Sequence, residues 1–161
     1  MSEDQFRLEV DDQDVLDALA AAQAAMTDLT PLMSEIEGIM VDAIERSFIN
    51  EQDPTTGVPW AALSPVTKAR RGDPNGPKLQ DKGDLVNSVR GDHDASSAEA
   101  GVAEKYGITH QLGAKRGQYG ETSRGSPIPW GDIPARPFVG VGEDDKTDIR
   151  DAVSRYISTS F

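Results

Sequence analysis

An α+β fold is predicted: N-terminal helices, including one long core helix packed on a small antiparallel sheet, with a long loop and a C-terminal helix. Three observations carry this. Met33, Ile36, Ile39, Met40, Ala43, Ile44 and Phe48 recur every three or four residues, the period of a helix with one buried face. Val86 to Arg90 and Ala98 to Ala103 flank the polar stretch Asp92 to Ser97, the pattern of a hairpin. Ala114 to Asp132 holds four glycines and two prolines without apolar periodicity, and a loop of that length is uncommon in compact folds unless it is functional or disordered.

In chain order, Phe6, Leu8 and Val10 alternate with Arg7 and Glu9, as in a strand with one wet face. Asp14 is placed to cap a helix running to Thr27, with Val15, Leu16, Leu19, Ala22, Gln23 and Met26 on a narrow apolar face. Thr30-Pro31 reads as cap and first residue of the core helix, which runs to Asn50. Its methionines suit core filling better than an adaptable groove. Asp53 to Pro59 is turn-dense, and Trp60 after it is expected to cap the core from a loop rather than to serve as a ligand platform. Ser64 and Pro65 start a short helix from which Lys68, Arg70 and Arg71 extend. That basic run is either a solvated helix end, where cations are favoured, or a contact surface. Gly72 to Lys78 is an exposed turn-rich loop, Leu79 to Val89 contains a short helical element, and Tyr106 to Leu112 is a helical turn that Gly113 ends.

Two prolines bracket Ala135-Arg136, stiffening the approach to Phe138, Val139 and Val141. The stretch reads as a presented arginine at a rim followed by a short buried strand, or as a proline-rich loop entering an ordinary strand. Asp144-Asp145 then start a last helix with Ile149, Ala152, Val153, Tyr156 and Ile157 on one stripe. Such a helix is marginal alone and must pack on the rest.

A chain of 161 residues fits one domain, residues 1–161, burying roughly 70% of its unfolded surface. It has no cysteine, so disulfides, thiolate zinc sites and cysteine nucleophiles are excluded together. No apolar run is long enough to span a membrane, and the start Met1-Ser2-Glu3-Asp4-Gln5 is acidic where a signal peptide is basic. A net charge of −12 argues against binding nucleic acid by overall attraction, though not against a local basic surface. In so acidic a chain, Lys115, Arg116 and Arg124 in a loop with Tyr119 and Trp130 suggest docking against a neighbouring subunit.

Catalytic constellations are thin. His93 and His110 are the only histidines, neither in a metal-binding spacing, and His110 beside Gln111 is expected to be a structural hydrogen-bonding residue. No phosphate loop, nucleophile elbow or zinc-protease helix is present. Acid pairs abound, so a carboxylate hydrolase acting on cell wall stays open as a different class, because separation in space decides that mechanism. The expectation is no enzyme, with no catalytic residue, cofactor or metal.

Several pieces together resemble the phage virion morphogenesis, or tail completion, family. They are Phe48, Pro54 to Gly57, Pro59-Trp60, Leu63-Ser64, Thr67, Leu79, Gly83-Asp84-Leu85, Ser88, Tyr106, His110-Gln111-Leu112-Gly113 and Ile133-Pro134-Ala135-Arg136-Pro137-Phe138. Gly107 departs from the alanine usual after that tyrosine. The resemblance implies a structural virion protein of a tailed virus, assembled in the host cytoplasm. It would sit at the head-tail junction as a ring of identical copies, six by the symmetry of such tails. The tail tube protein and the head connector would be its partners, DNA would pass through it, and no membrane is involved. A head-proximal connector or stopper is the alternative. Lys115, Arg116, Tyr119, Arg124, Trp130 and Arg136 are then expected at the subunit interface, and Lys68, Arg70 and Arg71 at a lumen or partner contact. A bore lined mostly by acids would instead let DNA slide.

The acidity carries its own test. At molar salt the Debye length is about 3 Å, against about 8 Å at physiological ionic strength, so self-repulsion is nearly screened. A protein from a salt-rich cytoplasm should melt higher in molar salt than in dilute buffer. Equal melting temperatures would identify a merely acidic protein.

Overall fold

The structure, a computed structural model, describes residues 13–160. The alternating stretch at Phe6 to Val10 lies outside those residues. Helix α1 (Gln13–Thr27) leads into α2 (Thr30–Asn50). Pro31 stands in the first turn of α2 as expected, but Thr30 is itself helical and Leu29 takes the cap position. Asp28 Oδ1 accepts from the Thr30 N–H at 3.0 Å, supplying the acceptor that an uncapped helix start needs. The other end closes on Glu51, in left-handed backbone at φ 53°, whose N–H donates to Ser47 O.

One stripe of α2, comprising Leu32, Ala43, Ile44, Ser47 and Phe48, is buried. It packs on the hairpin of β1 (Val89–His93) and β2 (Ala98–Val102), and on a long C-terminal helix (Glu143–Ser160). The strands run antiparallel with Val89 opposite Val102 and His93 opposite Ala98. The first strand starts three residues later than the sequence pattern suggests and takes in Asp92 and His93 of the expected turn, while the second ends one residue early. A single helical turn, Asp84–Asn87, occupies the start of the first run, and Asp94 draws the connection tight by accepting from the Ser96 and Ser97 N–H groups. Such Asx geometry competes with strand extension. In the C-terminal helix Ala152 is fully buried and Tyr156 half-buried while Ile157 is exposed, so the predicted stripe stops one residue early.

The short helices, numbered in chain order, are α3 (Pro65–Arg70), α4 (Asp84–Asn87) and α5 (Gly107–Leu112), which makes the C-terminal helix α6 (Glu143–Ser160). They surround a core of Ile44, Phe48, Trp60, Leu85 and Phe138. Phe48 meets Trp60 edge-on at 5.7 Å between centroids, and Phe138 at 5.3 Å. Burying each such side chain contributes about 1.5–3 kcal/mol. Trp60 therefore caps the core from its loop, as expected, and its Nε1 donates to Pro137 O at 2.6 Å.

The buried strand expected at Phe138 to Val141 does not form. The backbone there is irregular, with a bend at Val139, and side chains take the place of a neighbouring strand. Gln111 Oε1 accepts from the Phe138 and Val139 N–H groups at 2.9 and 3.0 Å, and its Nε2 donates to Val139 O at 2.9 Å. Ser47 Oγ donates to Phe138 O at 3.1 Å, and the Arg136 N–H reaches His110 O at 2.7 Å. With its donors and acceptors met this way, the segment needs no ladder.

Gly107 has a packing cause. A Cβ built there would stand 2.6 Å from Val102 Cγ2, so Val102 fills the space an alanine would take. Gly107→Ala should gain up to about 1 kcal/mol of helix propensity and lose about 1–3 kcal/mol to overpacking. A net loss is expected in denaturant unfolding, partly restored by adding Val102→Ala. Equal stability of Gly107→Ala and the parent would contradict this packing.

Candidate assembly surface

Helix α3 begins as its sequence dictates, with Ser64 Oγ accepting from the Thr67 N–H at 3.1 Å and Pro65 in the first turn. Lys68 and Arg70 fall in its last turn, where the carbonyl ends favour cations. Arg71 turns inward. Its guanidinium donates to Gly76 O and Pro77 O at 3.0 and 2.9 Å and pairs with Asp81 at 3.3 Å. Thus Arg71 secures the loop after α3 instead of extending from it, and its side chain is nearly buried.

Arg136 is placed against expectation too. It is not presented at a rim: only 5% exposed, it donates through Nε and Nη2 to Ala61 O and Ala62 O, both at 2.9 Å. Burial lowers its pKa while Glu51 acts in the opposite sense, and a guanidinium stays charged throughout. The flanking prolines stiffen an arginine that holds the Trp60–α3 connection. Arg136, Arg71, Tyr106 and His110 line one side-open cleft of about 590 Å³ between α3 and the 132–136 segment. His110 does not take the hydrogen-bonding role expected of it. Among the described residues its buried Nδ1 has no partner, its ring stands edge-on to Tyr106, and burial followed by the Arg136 charge lowers its pKa.

The long loop is not structureless. Ala114 and Ile133 exchange N–H···O bonds at 2.9 and 2.7 Å. Further up, Tyr119 N donates to Ile128 O and Thr122 N to Ser126 O, both at 2.8 Å, so residues 114–133 form a folded-back arm. Its base is pinned by Asp132, whose carboxylate accepts from the Arg116 N–H at 2.9 Å and pairs with Lys115 at 3.2 Å. Those bonds, the backbone one foremost, hold Asp132 below the usual carboxylate range. The arm can close against α5 because residue 113 is glycine: a Cβ there would come within 2.8 Å of Ala135 N and Ile133 O, backbone atoms that cannot move aside.

The expected residues thus sort themselves. Arg70 lies over the Trp130 ring at 4.6 Å, tying α3 to an arm that sequence reading kept apart from it. Tyr119 OH meets Thr109 Oγ1 at 3.1 Å beside α5. Arg116, Arg124 and Lys68 have no ion-pair partner among the described residues. Ile108 and Leu112, exposed on α5 next to Tyr119, were missed. The signal was the six-residue length of α5: once Gly107 and Gln111 face the core, residues 108 and 112, one turn apart, face away. Among the described residues no group of three or more His, Asp or Glu could hold a metal ion, and no helix is long and apolar enough to cross a membrane.

A clamped core with basic side chains gathered around an arm, in an acidic chain, is the build of an assembly component. The chain belongs to the phage virion morphogenesis family, whose model matches residues 10–158. It is 31% identical over 144 residues to the Mu-like prophage FluMu G protein 2 of Haemophilus influenzae, covering 89% of each chain. It is 31% identical over 125 residues to the putative capsid assembly protein G of Escherichia phage Mu, covering 76% of this chain and 75% of that one. No solved structure matches it significantly. Membership makes it a structural morphogenesis protein of a phage.

Two measurements check the cleft. Arg136→Ala strands two carbonyls and should cost about 1–3 kcal/mol in urea unfolding. Arg136→Lys should recover only part, lacking the planar fork; parent-like stability of the alanine variant would refute the strap. His110, its pKa depressed by folding, resists a proton that the unfolded chain accepts below about pH 6.5. Stability present above that pH should fall as pH drops toward the folded value, and His110→Gln should flatten the fall.

Proposed function

We propose that this protein completes the phage tail as a closed ring of identical copies, six in number, which meets the tail tube on one side and the head connector on the other and lets DNA pass. The observation that carries the reading is the partition of charge along the fold. Residues 65–136, which build α3, the hairpin, α5 and the arm, carry eleven Lys and Arg against nine Asp and Glu; the remainder carries five against nineteen. Ring contacts join one patch to a different patch on the next copy, and two halves of unlike charge supply such a pair and steer it. Arg116, Arg124 and Lys68 are among the cations of the less acidic half without an ion-pair partner among the described residues, with Lys115 and Trp130 beside them. Lys68 and Arg70 serve as a partner contact in this reading, while Arg71 and Arg136 support the surface from beneath. Virion residence at the head-tail junction follows from the same picture.

Replacing Arg116 and Arg124 together by glutamate should leave the melting temperature unchanged and lower the yield of infectious particles. The expected loss in association is about 2–5 kcal/mol for a desolvated pair and under about 1 kcal/mol at an exposed rim. Electron microscopy of the defective particles should show tails separated from filled heads. Full particle yield with both arginines reversed would end this reading.

A further inference from the structure

Among the described residues, two of the exposed apolar surfaces lie toward opposite ends of α2. The first is α1. Apart from Ala22 every residue of it with a described side chain is exposed, with Leu16 51% and Met26 64% exposed. Leu16 and Met26 stand roughly 80° apart around the axis, within one apolar sector. A fifteen-residue helix is marginal in water without packing, and α1 packs only along α6 among its principal neighbours. The second is the outer face of α5, where Ile108 and Leu112, 65% and 70% exposed, adjoin Tyr119 of the arm.

We propose that α1 of one copy seats on the α5 face of the next, Leu16 and Met26 covering Ile108, Leu112 and Tyr119. Charge makes the two complementary. Residues 1–29 contain eight acids and one arginine, whereas Lys105 precedes α5 by two residues, Lys115 shares a surface hollow with Leu112, and Arg116 follows. The structure does not make this contact within one chain, where Leu16, Met26, Ile108 and Leu112 are all exposed. The end of α1 is fixed at the hairpin turn, where Leu29 N donates to Ala95 O, and at the far end of α6, where Tyr156 OH donates to Asp28 O. Helix α5 follows the opposite end of β2, beside Phe138 and the last turn of α2. A 21-residue helix, about 30 Å long, separates the two. The occupant is therefore a second copy, and the contact is head-to-tail. This rests on the reading of the chain as a self-assembling virion component and says which surfaces that assembly uses.

The chain has no cysteine, which makes the test clean. Full-length Met26→Cys and Leu112→Cys chains, and likewise Leu16→Cys and Ile108→Cys, are co-expressed in cells producing phage and treated with a short bis-maleimide. All four sites are exposed, so folding is preserved, and parent-like circular dichroism confirms it. Each mixture of an α1 variant with an α5 variant should give a two-chain product that neither gives alone, and Leu112→Glu in the partner chain of a Leu16→Cys and Ile108→Cys mixture should reduce it at least about tenfold. No product in any mixture overturns the contact, as does equal product from Met26→Cys alone, which would mean α1 pairs with itself. The mass of wild-type assemblies separates the two levels: a ring without cross-links refutes this contact alone, and monomers without any particle defect on deleting the gene refute the assembly reading as well.

Discussion

The structure depends on how the segment 136–139 is held. Phe138 is driven into the core by its ring, yet its backbone has no strand beside it, and burying unmet amide groups would cost more than the ring gains. Gln111 resolves the conflict. One side-chain amide has both a donor and two acceptor lone pairs, so it can pair with a peptide edge as a strand would. Ser47 and Trp60 complete the pairing from α2 and the following loop. Residues from three separate stretches of chain, around Ser47, Trp60 and Gln111, are thereby fixed relative to one another by a single short segment.

From that clamp the outer parts follow. Pinning residues 136–139 fixes Arg136 at its base, and Arg136 in turn holds the 61–62 connection that orients α3. Gly113 sets the direction in which the arm leaves α5, and Asp132 fastens the arm's base. Arg70 on Trp130 then joins α3 to the arm, so that elements sixty residues apart in sequence become one surface. Arginine does two kinds of work here. Arg71 and Arg136 donate to carbonyls inside the fold, while Arg116 and Arg124 have no ion-pair partner among the described residues, and of these four only the second pair is available to a partner.

Much of the fold was legible because its signals are local. The period of α2, the hairpin, the Ser64 cap and the role of Trp60 each depend on neighbours within a few residues, and each formed close to expectation. The family resemblance was legible for the same reason that the clamp exists: His110 to Gly113 and Pro134 to Phe138 are its two halves. What misled was the assumption that an apolar run between prolines needs a strand partner and that a glycine-rich loop needs no structure. In the first case a distant glutamine supplied the hydrogen bonds, and in the second the bonds run between residues of the loop itself, invisible to any periodicity. The fates of Arg136 and Ile108 were likewise hidden, since a guanidinium seeks carbonyls wherever they lie and a short helix exposes whichever side the core leaves.

The sequence by itself determined the class of fold, the acidic balance with its less acidic middle, the lack of cysteine chemistry and the family, because composition, period and motif order survive without coordinates. Tertiary structure alone decided which arginines are buried, that the long loop is an ordered arm, and that apolar side chains of α1 and α5 are left exposed. Those outcomes turn on hydrogen-bond partners far apart in the chain, and no local pattern records which donor will find which acceptor.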